Sequence, residues 1–175
     1  MKRVVSISLG SSKRNKKVHA AFFGEEFEIE RIGTDGDMQK YRDMISELDG
    51  KVDAFGVGGT DIYLYAGDKR YVLNEILHLL DGAKQTPFVD GSGLKHTLER
   101  KTVAYLQEQD IVDFRSKRVL IVSAVDRFGM AEALAGLAKS IVFGDLMFGL
   151  GVPIAVRSWG TLKTLAGLML PVVVR

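Results

Sequence analysis

The stretch Lys117–Asp145, KRVLIVSAVDRFGMAEALAGLAKSIVFGD, decides the fold class. Arg118–Val125 is an almost uninterrupted apolar run, the pattern of a parallel strand buried on both faces between helices. A loop at Asp126–Gly129 leads into Met130–Lys139, whose alanines and leucines favour helix, and Ser140–Gly144 returns as a second apolar strand closed by Asp145. The order strand, turn, helix, strand, acid is the outline of a dinucleotide-binding βαβ unit. In that fingerprint, glycines tighten the first turn and admit a pyrophosphate to the helix N-terminus, and an acid about 20 residues on binds the ribose hydroxyls. Asp145 stands where the acid belongs. Ser123 and Val125 occupy glycine positions, Gly129 comes one residue late, and Asp126 brings a negative charge that Arg127 could neutralise. The same outline also fits a plain βαβ unit without ligand.

Working outward, the N-terminal half repeats the alternation of strand and helix. Arg3–Leu9 reads as a strand, and Lys17–Phe23 and Phe27–Ile32 as two more joined at Gly24-Glu25-Glu26, so the chain is expected to begin as a small meander. Met38, Tyr41, Ile45 and Leu48 recur at helical spacing behind a capping signal at Thr34–Asp37. Val52–Val57 is a further buried strand that runs into Gly58-Gly59-Thr60-Asp61, at the strand end where open α/β sheets hold ligands. Consecutive glycines serve tight turns as readily. Ile62–Ala66 and Tyr71–Leu73 flank a hairpin signal at Gly67-Asp68, and Asn74–Leu80 reads as a helix. Pro87–Val89 is a short strand, followed by Asp90-Gly91-Ser92-Gly93 and a long helix over Leu94–Glu108. The expected organisation is α/β: two Rossmann-like three-layer halves with mostly parallel sheets, residues 1–92 and 111–175, joined by a helix at 93–110, the second half incomplete.

Composition limits the function classes. The chain has 175 residues, 46% of them hydrophobic and 26% charged, which suits packed domains rather than a disordered segment. It has no cysteine, so thiol catalysis, disulfides and thiolate metal sites are excluded, and His19, His78 and His96 are too scattered for a metal motif. The net charge of +2 gives no global field for nucleic acid. A local cluster remains: Lys13, Arg14, Lys16 and Lys17 follow Gly10-Ser11-Ser12, where free amides and cations could hold a phosphate. A solvated hairpin tip would look the same. The basic N-terminus lacks the apolar core of a secretory signal, and Thr164–Val174 is shorter than the roughly 20 residues a membrane helix needs, so a cytoplasmic protein without membrane span is expected. Thr161–Leu168 reads as a helix and Pro171–Val174 as a strand. Because that strand would stop one residue before Arg175, it suggests a truncated chain, or a strand that completes a sheet in a partner. The apolar C-terminal stretch could also mediate homodimer formation.

The succession VDGSGLKHTLE (Val89–Glu99), a connector, then KRVLIVSAVDRFGMAEALAGL (Lys117–Leu137) resembles the junction of quinate/shikimate dehydrogenases, where an NTDGxG-type segment precedes a KGKRVLVLGAGG-type nucleotide strand. The whole chain, from MKRVVSISLGSSKR to SIVFGDLMFGLGVP, is similar to a bacterial family labelled quinate 5-dehydrogenase. The resemblance implies a substrate domain followed by a nicotinamide-nucleotide domain and hydride transfer at a ring hydroxyl. Asp90 matches the motif aspartate that holds the substrate hydroxyl and partners a catalytic lysine. No NVTxPxK segment supplies that lysine, and Lys69, with Asp61 and Lys84, is among the polar residues nearest the equivalent cleft. The implied sites are Asp90 and Lys69 for catalysis, Gly58, Gly59, Asp61 and Gly91 for a polyol acid substrate, and Ser123, Asp126, Arg127, Gly129 and Asp145 for NAD. A carboxylate at Asp145 would favour NAD over NADP. A protein that holds a nucleotide or phosphorylated metabolite at Gly10–Lys13 and Gly56–Asp61 without turnover is the alternative.

Overall fold

Lys2–Ser8 (β1) buries Val5 and Ile7 completely and lies at the middle of a five-stranded sheet in the computed structural model, which describes residues 1–67 and 69–174. Lys16–Phe22 (β2) and Glu25–Gly33 (β3) form an antiparallel hairpin. Its turn residues Phe23 and Gly24 have φ of 54° and 80°, the pair of positive values a two-residue turn with the right twist requires. The expected meander is corrected in one respect: β3, not β2, lies beside β1, and it runs parallel, from Lys2 opposite Phe27 to Ser8 opposite Gly33. β3 takes the inner position because it offers Phe27, Ile29 and Ile32. β2, with Lys16, Lys17 and His19, stays exposed along most of its length.

Met38–Leu48 (α1) begins where Asp37 accepts the amide of Lys40 at 2.9 Å, and it buries Tyr41 and Ile45. Burial pushes the Tyr41 hydroxyl up to about 12. The helix packs against β1 and carries the chain from β3 across to Ala54–Gly58 (β4), which pairs parallel with β1 on its other edge. The hairpin strands Tyr63–Ala66 (β5) and Lys69–Val72 (β6) and the short helix Asn74–His78 (α2) follow. Phe88–Val89 (β7) then pairs parallel with β4, which gives the order β2-β3-β1-β4-β7 with β2 alone antiparallel. Asp49, just past α1, accepts the amides of Lys84, Gln85 and Thr86 at 2.8–3.1 Å and so fixes the segment that leads into β7. These bonds hold its carboxyl below the usual carboxylate range. Asp68, half of the expected Gly67-Asp68 turn, and the terminal Arg175 lie outside the described residues.

The chain divides into two units: Met1–Ile62 with Val72–Gly91, and Tyr63–Tyr71 with Ser92–Arg175. The second unit thus includes β5 and all of β6 but Val72. Its long helix Ser92–Glu108 (α3), read from the sequence as a connector, packs along Phe128–Leu137 (α4). Arg118–Ile121 (β8) and Ser140–Phe143 (β9) run parallel, from Arg118 opposite Ser140 to Ile121 opposite Phe143, so strand, helix and parallel strand follow in the expected order. β8 is shorter than the expected Arg118–Val125 because the chain turns out of the strand early, and α4 starts two residues sooner. A turn of π-helix at Asp145–Gly149 follows β9, and Val156 bridges the free edge of β9 by two bonds to Phe143.

The last element is Trp159–Val173 (α5), capped by Ser158. The strand expected at Pro171–Val174 is therefore overturned. Leu162, Ala166 and Leu170 are buried four residues apart, and this helical stripe outweighs the β preference of the valines. Val174 still donates to the carbonyl of Leu170 at 3.0 Å. The core of the unit gathers Val103 of α3, Ile121, Ala131 and Leu134 of α4, Phe143 and Leu162.

Candidate functional site

The carboxyl ends of β8 and β9 are tied together by backbone and carboxylate. Gly144 donates to the carbonyl of Ile121, and Asp145 Oδ1 accepts the amide of Val125, both at 2.8 Å. Beside this clasp lies a cavity of about 230 Å³. Its walls are mostly aliphatic, from Leu146, Leu150, Leu162 and Met169 among others, and its polar members are Ser123, Asp126 and Asp145. Asp145 Oδ2 is buried and makes no hydrogen bond among the described residues. A buried acceptor left unpaired costs about 1–3 kcal/mol, more for a charged group.

The structure thus brings together three of the expected cofactor residues, Ser123, Asp126 and Asp145. The other two have different work. Arg127, at the start of α4, pairs with Glu99 of α3 and stands 4.0 Å from Asp126. The close counterion of Asp126 is Lys95, at 2.6 Å, which the sequence reading missed. With Arg100–Glu132 at 2.5 Å, these pairs form a ladder between α3 and the β8–α4 segment. Gly129 lies within α4 with its α-carbon against the backbone of His96: a β-carbon there would collide with the His96 carbonyl oxygen and stand 3.0 Å from its carbon. This glycine admits a helix, not a phosphate.

In the first unit, the ends of β1 and β4 meet where the chain connections part to opposite sides, the place where open α/β sheets hold ligands. Here the chain itself fills the space. Leu9 donates to the carbonyl of Gly58 at 3.0 Å, and Gly59, with φ of 76°, leaves only 2.8 Å between a β-carbon and the amide nitrogen of Gly10. Three amides of the Gly10–Lys13 loop are engaged: Gly10 with Ser8 Oγ at 3.1 Å, Ser12 with Asp35 at 2.7 Å, and Lys13 with Ser11 Oγ at 3.2 Å. The bonds from Ser12 hold the Asp35 carboxyl below its usual range. A phosphate at this loop would have to displace Asp35.

Asp90 accepts the amide of Ile62 through Oδ2 at 2.8 Å, which ties the Gly59–Ile62 loop, Asp61 included, to the turn after β7, where Gly91 has φ of 78°. Lys69 is exposed on β6 in the second unit, with its ammonium 5.0 Å from the centre of the Tyr71 ring. Among the described residues no group of three histidine or carboxylate side chains is placed to hold a metal ion. Lys95, His96, Tyr63 and Tyr65 were not singled out by the sequence. The i, i+4 spacing of Lys95 and Glu99 on α3 was the available signal.

Residues 3–90 match a domain of unknown function, DUF8753, and residues 93–175 match a second, DUF8754. No curated protein and no solved structure matches the chain.

Proposed function

This chain belongs to the family defined by the domain of unknown function DUF8753, and we propose that it binds a nicotinamide nucleotide in its second unit, as an NAD(P)-dependent oxidoreductase of a quinate- or shikimate-like cyclic polyol acid. The observation that carries the reading is Asp145: one oxygen closes the β8–β9 clasp and the other is buried, without a hydrogen bond among the described residues, in a residue that walls the apolar cavity. A ribose hydroxyl is the donor such an oxygen accepts, and aliphatic walls suit the flat face of a base. At about 230 Å³ the cavity is smaller than the roughly 300–1,000 Å³ of sites for drug-sized ligands, so it would hold one nucleoside end of a dinucleotide. On this reading β8, α4 and β9 are the first βαβ unit of a Rossmann-like domain, and the carboxylate favours NAD. Exposed Phe148, Leu150, Leu168 and Val172 support a homodimer.

A specific observation favours the second reading, a nucleotide-binding protein without turnover. Asp90 is engaged with the Ile62 amide, and Lys69 rests over Tyr71, so neither shows a geometry set aside for proton transfer. Calorimetric titration with NAD, NADP and AMP, followed by nicotinamide absorbance with quinate and shikimate, separates the two. Binding of NAD with turnover supports the oxidoreductase; binding without turnover supports the second reading; no binding of any nucleotide removes both.

A further inference from the structure

The loop after β1 has amides that are engaged and cations that are not. A β-carbon on Gly10 would stand 2.6 Å from Arg14 Nη2 and 3.0 Å from Arg31 Nη2, so two guanidinium groups meet at one point above the Gly10 α-carbon. Two cations this close repel each other unless an anion stands between them. Among the described residues no carboxylate pairs with either arginine. The acids nearest Arg31 in sequence are taken, Asp35 by the Ser12 amide and Glu30 by Arg3 at 3.5 Å.

The two arginines differ in how they are held. Arg31 is fixed: Nη2 donates to Ser8 Oγ at 2.9 Å and Nη1 to the carbonyl of Ser11 at 3.1 Å, and Ser8 is 2% exposed. Arg14 closes the short turn Ser12–Arg14, is exposed, and makes no side-chain hydrogen bond among the described residues. Most donors of the two forks are therefore open to a ligand. The surface beside them is low. Across β3, β1 and β4, Arg31, Ser6 and Gly56 stand in register, and Gly33, Ser8 and Gly58 form the next row. Both rows lie on the face opposite the buried Val5 and Ile7. Arg31 is the one long side chain in them, and Ser6, Gly56 and Gly58 stay partly exposed.

We propose that Arg14 and Arg31 bind a phosphate dianion, with Ser6 and the glycines beside it as the floor for whatever carries the phosphate. One guanidinium fork satisfies a carboxylate; a phosphate has a further oxygen and nearly a second charge at neutral pH, which matches two forks. The site is made of side chains, so Asp35 keeps its bond to Ser12. It belongs to the first unit and is independent of the nicotinamide site proposed above.

The test is calorimetric titration of the full chain with inorganic phosphate and with glycerol 3-phosphate, at neutral pH and fixed ionic strength, for wild type, Arg14→Gln, Arg31→Gln and Lys13→Gln. Wild type should bind saturably, with a Kd of about 1 mM or tighter for at least one probe. Tighter binding of the ester would assign the site to a phosphorylated metabolite, and equal binding to free phosphate. Arg14→Gln and Arg31→Gln should each weaken binding about tenfold or more, and Lys13→Gln by less than about twofold. Thermal melting checks folding. Arg31→Gln also loses the bonds to Ser8 and Ser11, so exposed Arg14→Gln decides if Arg31→Gln unfolds. Wild type without saturable binding of either probe up to about 50 mM would overturn the proposal. So would an Arg14→Gln variant that binds like wild type, or a Lys13→Gln variant that weakens as much, since a diffuse basic surface would then account for the binding. NAD affinity, read on the same proteins, should be unchanged in Arg14→Gln, and its absence in all of them would remove the nicotinamide reading alone.

Discussion

Gly129 and His96 touch backbone to backbone, α-carbon against carbonyl, and this contact sets how closely α3 and α4 approach. Replacing a helix-interior glycine by alanine ordinarily stabilises by roughly 0.5–1 kcal/mol. At Gly129 the sign should reverse, with a loss of about 1–3 kcal/mol from overpacking. Gly136, on the exposed side of the same helix with open space around it, should show the ordinary gain. Thermal melts of Gly129→Ala and Gly136→Ala should therefore move in opposite directions, by roughly 2–4 °C per kcal/mol. Equal shifts would contradict the contact.

Asp145 has two duties that substitution can separate. Asp145→Asn keeps an oxygen for the Val125 amide but turns the other acceptor into a donor, whereas Asp145→Ala loses both. The asparagine variant should melt close to wild type and bind NAD at least about tenfold more weakly, as expected for a lost charge-assisted hydrogen bond. The alanine variant should also lose thermal stability. Undiminished NAD affinity in either variant would remove Asp145 from the ligand site.

The cavity can be filled without touching a polar group. Ala166 is 3% exposed and contributes to its wall from α5. Ala166→Leu places three more carbons in the empty volume, so it should abolish nucleotide binding while leaving the melting temperature unchanged or higher. Retained affinity would show that the ligand lies elsewhere.

Asp49 makes stability in acid a measure of the first unit. Its folded carboxyl titrates below its unfolded value of about 3.9, so its contribution is present above that pH and is lost as pH falls through the folded value. Asp49→Asn should melt lower than wild type at pH 7. Between about pH 5 and 2 the two melting curves should converge, as the wild-type carboxyl takes up its proton. A constant gap across that range would mean the Asp49 charge does not matter.

How far the sequence could be read depended on the range of the interactions involved. α1 was legible to the residue, Met38–Leu48, because its cap at Asp37 and its apolar spacing are local. The βαβ outline at Lys117–Asp145 was legible for the same reason. The neighbour of β1 was not: pairing of β1 with β3 instead of β2 depends on which strand of a hairpin offers the more apolar face to a sheet assembled later. Pro171 and the valines beside it concealed the end of α5, since the deciding stripe, Leu162, Ala166 and Leu170, begins nine residues earlier than Pro171. At the candidate site Asp145 was anticipated. His96 and Lys95 were not, because on α3 they look like the charged face of a solvated helix, and only the approach of α4 permitted by Gly129 encloses them.

The central position of β1 bears on the order in which the first unit assembles. Both its neighbours, β3 and β4, come later in the chain, on the far side of a hairpin and a helix. The β2–β3 hairpin closes through two turn residues, a microsecond-scale local event, whereas each parallel pairing of β1 must first close a much longer loop. The hairpin should therefore form early and the pairing of β1 late, an order that stopped-flow refolding of variants checks. Substitutions in Phe23–Gly24 should slow folding, while those at Val5 or Ile7 should chiefly speed unfolding.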